Sequence, residues 1–206
     1  MEPMNYSVEN YSGDQLLVEK LLKGDTNAFR TIIRQTEALV AQVVFKMVYN
    51  PEDRKDIVQD VYMKAFHSLS GFRFHSKLST WIAQIAYNTC ISYLDKKKLV
   101  LAGSSQEGFD KGDEYLERMQ QQTGTYFVEL EKQLYRKELS GILKKAIDSL
   151  PPIYKLLITL FHNEEMSYTE ICSITELPEG TVKSYLFRAR KTLRENLLFT
   201  HKKEAL

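Results

Sequence analysis

The sequence predicts an all-α protein with two helical domains joined by a flexible acidic linker, the second domain containing a helix-turn-helix. Three observations support this prediction. Apolar residues recur at helical spacing in both halves of the chain, and no segment is rich in strand-forming residues. A glycine-containing acidic stretch separates the two halves. Near the C-terminus, two short helical patterns, a tight turn and a final helical pattern follow one another.

The composition is that of an ordinary globular protein. The chain has 206 residues, 43% hydrophobic and 27% charged, and its net charge of +1 argues neither for nor against a polyanionic partner. Cys90 and Cys172 lie in apolar helical patterns without metal-ligand neighbours, so we expect buried thiols in a reducing compartment. The polar N-terminus does not have a signal-peptide pattern, and no apolar run approaches the roughly 20 residues of a membrane helix. We therefore expect a cytoplasmic protein without membrane insertion.

The first domain is predicted over residues 14–98, after a disordered tail at residues 1–13. Apolar residues at helical spacing define its elements, and Gly24 and Pro51 break the pattern between them. Asp14 is expected to cap the first helix. The four predicted helices run over Gln15–Lys23, from Asp25 or Thr26 to about Val48, from Glu52 to about Ser70, and from Ser79 or Thr80 as N-cap to Lys98.

The last of these helices has two different arcs. At about 100° per residue, Ile82, Ala86 and their neighbours at the same spacing form an apolar stripe that faces the core. The other arc carries Trp81, Gln84 and Asn88. An indole and two amides can stack on bases and read their edges, whereas an ordinary solvated face carries interchangeable charges. Taken alone, the helix favours the simpler interpretation of an amphipathic helix with Trp81 in a groove, but the neighbouring stretches favour nucleic acid.

The third predicted helix pairs a buried arc with an exposed acidic face. Asp56, Asp60 and Met63 share this face, and Gln59 lies at its edge. Two carboxylates one turn apart are most often simply solvated. A metal or acid–base site would need a histidine or a third carboxylate at suitable spacing, and none accompanies this pair. The third interpretation is a docking face for a basic partner, on which Met63 supplies adaptable apolar contact.

An aromatic and basic loop precedes the fourth predicted helix. It contains Phe72, Arg73, Phe74, His75 and Lys77. One interpretation places both phenylalanines in the core beneath the loop. The other is a pocket for single-stranded nucleic acid, because extruding a base costs a few kcal/mol and stacking it on a ring returns roughly 1–3 kcal/mol.

The linker is predicted at residues 99–126, where glycines and serines occur among acidic residues that few basic residues oppose. The second domain follows at residues 127–200, and Pro151 and Pro152 separate its first two helices. The predicted helices run over Glu129–Leu150, Ile153–His162, Ser167–Ile174 and from Thr181 to about Phe199, with a turn at Thr175–Gly180.

The C-terminal part of this domain has the pattern of a helix-turn-helix. Ser167 and Glu170 are spaced as a capping box at the start of its first helix. The exposed face of the final helix begins with hydroxyl groups and continues with basic residues, which suits a DNA major groove. Ordinary solvated charge is the simpler interpretation, but the capping box, turn and basic face together favour DNA binding. The predicted contact residues are Thr181, Lys183, Ser184, Arg188 and Lys191.

The sequence shows no pattern of a catalytic, metal or cofactor site. No glycine-rich phosphate loop follows a strand, no serine–histidine–aspartate or cysteine–histidine arrangement stands out, and the four histidines are scattered. We therefore expect a protein that is not an enzyme and that uses no cofactor, no metal and no catalytic residue.

Two blocks of the sequence together resemble the bacterial sigma-70 family of RNA polymerase sigma factors, specifically its small extracytoplasmic-function (ECF) members. Both blocks in this order, with only a linker between them, are far more specific than either alone. The absence of a third folded domain indicates the small members. The first block, similar to the family's region two, is Asp56–Phe66, Phe72 and Ser79–Asn88. The second, similar to region four, is Leu150–Pro151, Tyr168–Ile171, Gly180–Ser184 and Arg188–Lys191.

The resemblance implies three partners, namely core RNA polymerase, promoter DNA and an anti-sigma factor that holds the two domains shut until a signal arrives. It also implies that the acidic linker threads toward the RNA exit channel. The residues implied to dock on the basic coiled coil of the polymerase large subunit are Asp56, Gln59, Asp60 and Met63. Those implied to hold or open the minus-ten element are Phe72, Arg73, Lys77, Thr80, Trp81, Gln84 and Asn88. The Thr181–Lys191 face would read the minus-thirty-five duplex.

The sequence departs from the family pattern at three places. Tyr185 and Tyr87 stand where the family commonly has basic residues, so a phosphate or base contact is altered there. Lys96–Lys98 replaces an arginine-bearing helix end, which keeps the charge but loses bidentate geometry. These departures concern the promoter sequence and not the class of protein.

Two other functions compete with that of an initiation factor. A stand-alone helix-turn-helix transcription regulator would use the first domain as a sensor or dimerisation module. A sensor needs a ligand cavity or a phosphoacceptor pattern, and the sequence shows neither. An enzyme using Asp56 and Asp60 would lose activity on chelation, and nothing in their spacing indicates one.

Overall fold

The structure, a computed structural model, describes residues 8–102 and 141–204. Within these ranges it consists of eight α-helices and one short 3-10 helix, without any strand, which confirms the predicted all-α class. The 3-10 helix spans Leu69–Gly71. The α-helices are α1 (Val8–Leu22), α2 (Thr26–Met47), α3 (Pro51–Ser68), α4 (Leu78–Ala102), α5 (141–148), α6 (Pro152–His162), α7 (Tyr168–Thr175) and α8 (Glu179–Glu204).

Most of the predicted linker lies outside the described residues. Residues 99–102 continue α4, so this helix ends later than the predicted Lys98. The remainder of the linker at 99–126 and the first part of the predicted helix Glu129–Leu150 fall within residues 103–140, which the structure does not describe. The predicted domain boundaries therefore stay predictions.

Helices α1 and α4 begin at positions that differ from the prediction. α1 begins at Val8 and not at Gln15, so Asp14 lies inside this helix and does not cap it. The Asp14 carboxylate instead accepts a hydrogen bond of 2.9 Å from the backbone N–H of Leu78, the first residue of α4. α4 therefore starts before the predicted Ser79 cap, and its N-terminal donor is satisfied by a residue of another helix.

The other helix starts follow from local sequence. Asp25 caps α2 by accepting from Asn27 N–H at 2.9 Å, and Asn50 caps α3 ahead of a proline in its first turn. The predicted capping box of α7 is confirmed. In it the Glu170 N–H donates to the Ser167 hydroxyl at 3.2 Å, while the Ser167 N–H donates back to the Glu170 carboxylate at 3.0 Å.

Helix α4 lies at the centre of the fold and packs against α2, α3 and α7. Ile82 and Ala86 of the predicted apolar stripe are 0% exposed. Ala83 and Cys90 are also 0% exposed and Tyr87 is 8% exposed, so the buried surface is much wider than one stripe. The extra width arises because α4 is covered from several sides, by α2, α3 and α7, and Glu176 at the end of α7 lies beside Tyr87.

Helices α6, α7 and α8 form the helix-turn-helix unit around an aliphatic core. Leu156, Leu160, Ile171 and Leu186 are at most 1% exposed within it. The chain turns between α7 and α8 at Glu176, whose φ of 57° lies in the left-handed region that glycine normally adopts at a helix C-terminus.

The C-terminal helices also contact the N-terminal ones where α6 packs against α2. Lys155 of α6 is 4% exposed, with its ammonium 4.9 Å from the centre of the Tyr49 ring. Burial lowers the pKa of Lys155. Nearby, Lys46 and Asp148 form an ion pair of 3.7 Å. The apolar core consequently continues from one set of helices into the other.

We expect Ser167→Ala to lower the free energy of unfolding by about 1 kcal/mol, because the N-terminus of α7 loses its capping hydroxyl. Urea unfolding followed by circular dichroism measures this loss. The matched control is Ser92→Ala on α4, whose hydroxyl donates to the Asn88 carbonyl of its own helix at 2.9 Å. This control should change the unfolding free energy by less than about 0.5 kcal/mol, and equal losses in both variants would contradict the role of the cap.

Candidate nucleic-acid interface

The aromatic loop before α4 is organised around Phe72, whose ring packs at a tilt against two other aromatic rings. The Phe72 ring lies 5.0 Å from Trp81 and 4.7 Å from Phe74, measured between ring centres. Phe72 is 8% exposed, whereas Phe74 and Trp81 are half-buried. Phe74 has a φ of 58°, which bends the loop back on itself. Phe72 therefore belongs to the core beneath the loop, and Trp81 presents the accessible aromatic surface.

A cavity of about 370 Å³ opens beside these rings. Its volume lies at the lower end of the range for pockets that bind small ligands. Aromatic, basic and amide groups line it together, a mixture that suits a base and its phosphate. We call it the aromatic pocket, and its lining residues are Gly71, Phe72, Arg73, His75, Ser76, Trp81, Gln84 and Ser173.

The polar arc of α4 comprises Trp81, Gln84 and Asn88, with Lys77 just before the helix. In this arrangement its polar groups contact carboxylates of the C-terminal helices. Lys77 Nζ lies 2.9 Å from a Glu170 carboxylate oxygen. Gln84 Nε2 donates to Glu176 Oε1 at 2.7 Å, and Asn88 Nδ2 reaches the same oxygen at 3.4 Å.

Two further residues predicted to contact the minus-ten element differ in accessibility. Arg73 is exposed at the rim of the aromatic pocket, where it can reach a phosphate. Thr80 is 2% exposed, so its hydroxyl faces the interior of the fold. The structure thus brings Arg73, Lys77, Trp81, Gln84 and Asn88 to one surface, with Phe72 buried beneath the aromatic pocket and Thr80 behind the surface.

The acidic face of α3 comprises Asp56, Gln59, Asp60 and Met63, and all four side chains are exposed as predicted. An apolar groove of about 360 Å³ continues this face. Phe66, 47% exposed, forms its floor with Phe29 of α2, the ring centres being 5.1 Å apart. The residues lining the groove are Phe29, Gln59, Tyr62, Met63, Phe66 and His67.

The sequence pattern does not predict this groove. Phe66 and His67 could have been found, because they continue the helical spacing of three and four residues from Met63. Phe29 could not, because it lies on another helix and only packing brings it beside Phe66. An acidic face next to an exposed apolar groove combines electrostatic attraction with apolar burial.

A cluster of polar side chains joins the end of α4 to the start of α3. The Tyr93 hydroxyl donates to the Asp53 carboxylate, and Lys97 Nζ donates to the Tyr93 oxygen at 2.8 Å. These contacts, led by the hydrogen bond from Tyr93, hold the pKa of Asp53 below its ordinary value. Lys97, one of the lysines at the predicted helix end, therefore has an internal partner, with its ammonium 3.6 Å from Asp53.

The recognition face of α8 comprises Thr181, Lys183, Ser184, Arg188 and Lys191. The three basic side chains are exposed, whereas Thr181 and Ser184 are half-buried. The Ser184 hydroxyl donates a hydrogen bond of 2.9 Å to the Thr181 carbonyl. Lys183 and Lys191 form ion pairs with Glu179 and Glu195 of the same helix. Exposed pairs of this kind are weak, so phosphates can replace them.

The two tyrosines that depart from the family pattern lie close to each other at the seam between α4 and the C-terminal helices. Burial raises the pKa of Tyr87, and the neighbouring Glu176 and Tyr185 raise it further. The Tyr185 ring packs 5.4 Å from Tyr154 of α6. Both rings therefore contribute to packing at this seam in place of a positive charge.

The described part of the chain contains no group of histidine, cysteine or acidic residues arranged to hold a metal ion. None of its helices is both long and apolar enough to cross a membrane. Cys90 and Cys172 are free thiols. Burial raises the pKa of Cys90 to about 12, whereas Cys172 is only half-buried, so the prediction of two buried thiols holds for Cys90 alone.

Comparison with known proteins yields matches over both halves of the chain. The model of sigma-70 region 2 matches residues 32–100, and the model of sigma-70 region 4 matches residues 140–193. The ECF RNA polymerase sigma-E factor of Escherichia coli K12 is 34% identical over 183 residues, which cover 87% of this chain and 92% of that protein. The RNA polymerase sigma-H factor of Pseudomonas aeruginosa is 29% identical over 185 residues, covering 89% of this chain and 93% of that one.

Solved structures show the same fold. The sigma factor RpoE of Bartonella quintana, in complex with the anti-sigma factor NepR, matches with a TM-score of 0.59 at 23% identity, covering 82% of this chain and 96% of that one. CnrH, in complex with the cytosolic domain of CnrY, matches with a TM-score of 0.56 at 20% identity, covering 89% of this chain and 96% of that one.

The contact between Lys77 and Glu170 predicts a pH dependence. Burial alone would raise the pKa of Glu170, but hydrogen bonds from Lys77 and Ser167 outweigh it and hold the pKa below its ordinary value. The stabilisation by this carboxylate is therefore complete above the pKa of the unfolded chain and is lost as the pH falls through the lower folded value. We expect Glu170→Gln to make the unfolding free energy fall less steeply than in the wild type between about pH 5 and pH 3.

Urea unfolding at a series of pH values measures this slope. Glu195→Gln, which removes an exposed carboxylate of α8, is the matched control and should keep the wild-type slope. If the pH dependence of the unfolding free energy is the same in Glu170→Gln as in the wild type, the wild-type Glu170 carboxylate has the same pKa in the folded and the unfolded chain, and the prediction is wrong.

Proposed function

Because the chain belongs to the ECF sigma factors of the sigma-70 family, it is an RNA polymerase sigma factor, and we propose that the aromatic pocket and the polar arc of α4 bind the minus-ten strand. Family membership favours an initiation factor over a stand-alone regulator. In this proposal the chain uses no catalytic residue of its own. It works in the cytoplasm, where its DNA and polymerase partners are found.

The packing of Phe72 against Trp81 beside a cavity of about 370 Å³ is the observation that carries the proposal. Phe72 holds the Trp81 ring from beneath, so an unstacked base can pack against a surface that is already in place. Each base stacked on an aromatic ring contributes roughly 1–3 kcal/mol, which offsets the few kcal/mol needed to extrude it. Arg73 at the rim and Lys77 beside the helix can bind the phosphates on either side of the base.

Gln84 and Asn88 lie one turn apart along α4, next to this pocket. Amide side chains pair with adenine edges in two-bond contacts, so these two residues are suited to select the bases that follow the extruded one. The lysine and arginine contacts would add affinity without sequence preference. The surface thus combines strand capture with sequence choice.

We propose that the acidic face of α3 and the groove beside it bind core RNA polymerase. Asp56 and Asp60 are exposed and lie one turn apart, which gives a local negative charge on a chain whose net charge is only +1. Met63 and Phe66 are 52% and 47% exposed, an apolar area that a partner can cover. A partner surface with basic residues around an apolar centre fits this combination.

The helix-turn-helix unit is proposed to bind the minus-thirty-five element as a duplex. The recognition face of α8 is accessible, and the backbone N–H groups at the start of α8 suit a DNA phosphate. Arg188 lies in the third turn of α8 and projects into solvent, where its guanidinium can pair with a guanine. We further propose that an anti-sigma factor controls this chain, as the complex of the structurally similar Bartonella quintana sigma factor with the anti-sigma factor NepR suggests.

Reconstituted run-off transcription tests the proposal. Purified core polymerase, this protein and pooled promoter fragments should give discrete transcripts that are absent without the protein. Asp60→Arg should weaken core binding by about tenfold or more, because it places a like charge against a basic partner. The double variant Lys77→Ala/Trp81→Ala should still bind core polymerase but fail to form open complexes, which permanganate footprinting of unpaired thymines detects.

Matched controls separate these effects from general damage. Glu19→Arg reverses an exposed charge on α1, and Lys23→Ala removes an exposed lysine from the loop that follows it. Both should transcribe like the wild type. If the protein binds duplex DNA alone but never joins the polymerase, the proposed initiation role is wrong.

Arg188→Ala should weaken binding of the holoenzyme to duplex promoter fragments by about 1–3 kcal/mol, because a base contact in the major groove is lost. Electrophoretic mobility shifts at fixed salt measure the affinity. Lys144→Ala removes an exposed basic residue of α5 and should leave the affinity unchanged. An equal loss for promoter and unrelated DNA would assign Arg188 to phosphate binding and not to base recognition.

A further inference from the structure

We propose that α7 and the turn after it act as an internal competitor of the minus-ten strand, covering the polar arc of α4 until the helix-turn-helix unit moves away. This inference rests on the proposed function of the polar arc. It concerns a contact made within one chain, and it requires no second protein. The structure described above is then the closed state of the chain.

Two carboxylates of the C-terminal helices occupy the groups that would bind DNA. Glu170 lies 2.9 Å from the Lys77 ammonium. Glu176 Oε1 accepts from Gln84 at 2.7 Å and lies 3.4 Å from the Asn88 amide nitrogen. A carboxylate oxygen offers these donors the same negative acceptor that a phosphate or a base carbonyl would offer. The strand and the two glutamates therefore compete for the same hydrogen bonds.

The backbone at Glu176 supports a role for its side chain. This residue has φ 57° and ψ 16°, the left-handed conformation that favours glycine at the end of a helix. A residue with a Cβ is strained there, so the helix-turn-helix turn alone would be better served by glycine. Glutamate at this position disfavours the turn but places a carboxylate on α4. Strain held next to a functional contact is a recognised sign of a functional constraint.

The same helix also covers the aromatic pocket and the seam beside it. Ser173 of α7 is part of the lining of the pocket, next to Trp81. Tyr87 of α4 is 8% exposed at this seam. While α7 keeps this place, a strand that stacks a base on Trp81 meets Glu176 on Gln84 and Asn88 further along α4. The closed state thus covers part of the proposed strand-binding surface, whereas Arg73 at the rim of the pocket stays exposed.

The recognition face of α8 behaves differently. Lys183, Arg188 and Lys191 are exposed, and the ion pairs of the two lysines lie within α8 itself. In the closed state the polar arc of α4 is therefore occupied, whereas the recognition face of α8 remains accessible to duplex DNA. The hydrogen bonds of Gln84 and Asn88 to Glu176 lie at an exposed edge, where individual polar contacts are weak, so contacts to the strand can replace them.

The chain offers an unusually well matched pair of variants. Glu176→Gly removes the carboxylate and relieves the left-handed residue, so it should open the chain without harming the turn. Glu165→Gly makes the same change at another left-handed glutamate, with a φ of 50°, which is exposed in the loop before α7. Among the described contacts, the Glu165 side chain takes part in no hydrogen bond or ion pair with α4.

Trp81 is the only tryptophan of the 206 residues and lies in the pocket that α7 covers, so its fluorescence reports opening without a label. Acrylamide quenching of the full-length protein measures opening in the absence of DNA. Titration with the non-template strand of a promoter found by run-off transcription measures strand binding, because a base stacked on Trp81 quenches it. Duplex minus-thirty-five DNA serves as the second ligand.

We expect Glu176→Gly to increase acrylamide quenching and to tighten strand binding by about fivefold or more, with duplex binding unchanged. Glu165→Gly should match the wild type in all three measurements. If Glu176→Gly changes neither quenching nor strand affinity while the wild type binds the strand, the competitor is disproved and the proposed function stands. If Trp81 becomes more accessible but neither protein binds any strand, the proposed function fails and the competitor role fails with it.

Discussion

Helix α4 packs in the core, carries the proposed strand-binding surface and contacts α7, and the rest of the structure depends on how its circumference is divided among these three. Ile82, Ala83, Ala86 and Cys90 are 0% exposed, so a wide sector of the helix is committed to packing. The remaining sector carries Trp81, Gln84 and Asn88, the groups of α4 that are proposed to contact DNA. Because that sector is narrow, one short helix such as α7 is enough to cover it. A wider polar face could not be closed by a single helix.

The elements that the sequence predicts correctly are those defined by neighbouring residues. The capping box of Ser167 and Glu170, the start of α2 at Thr26 and the break at Pro51 each depend on atoms within one helical turn. The exposed positions of the acidic face of α3 follow from spacing alone, and so does the accessible basic face of α8. Local chemistry therefore gave the fold class and most residues of both surfaces.

The features that escaped prediction depend on contacts between distant segments. Asp14 caps α4 from 64 positions away, and Phe29 completes the groove of α3 from another helix. The wide burial of α4 is of the same kind, because Tyr87 looks solvent-facing until α7 is placed against it. Thr80 is the opposite case: its position in the sequence motif predicts a contact with DNA, but its side chain is 2% exposed and lies behind the surface. The spacing of apolar residues along the sequence does not predict which helix will cover a polar arc.

Glu170 links the folding of the helix-turn-helix unit to the closed state without making one depend on the other. Its carboxylate closes the capping box through Ser167 and also binds Lys77 of the other domain. In the proposed opening the capping hydrogen bonds are kept, because both partners belong to the helix-turn-helix unit, so α7 stays folded. Glu176 has a left-handed backbone in either state, but its side chain accepts from Gln84 only in the closed one. Opening also has to break the packing of α6 against α2, where Lys155 is buried, so binding of polymerase and DNA must supply the free energy that shifts the equilibrium.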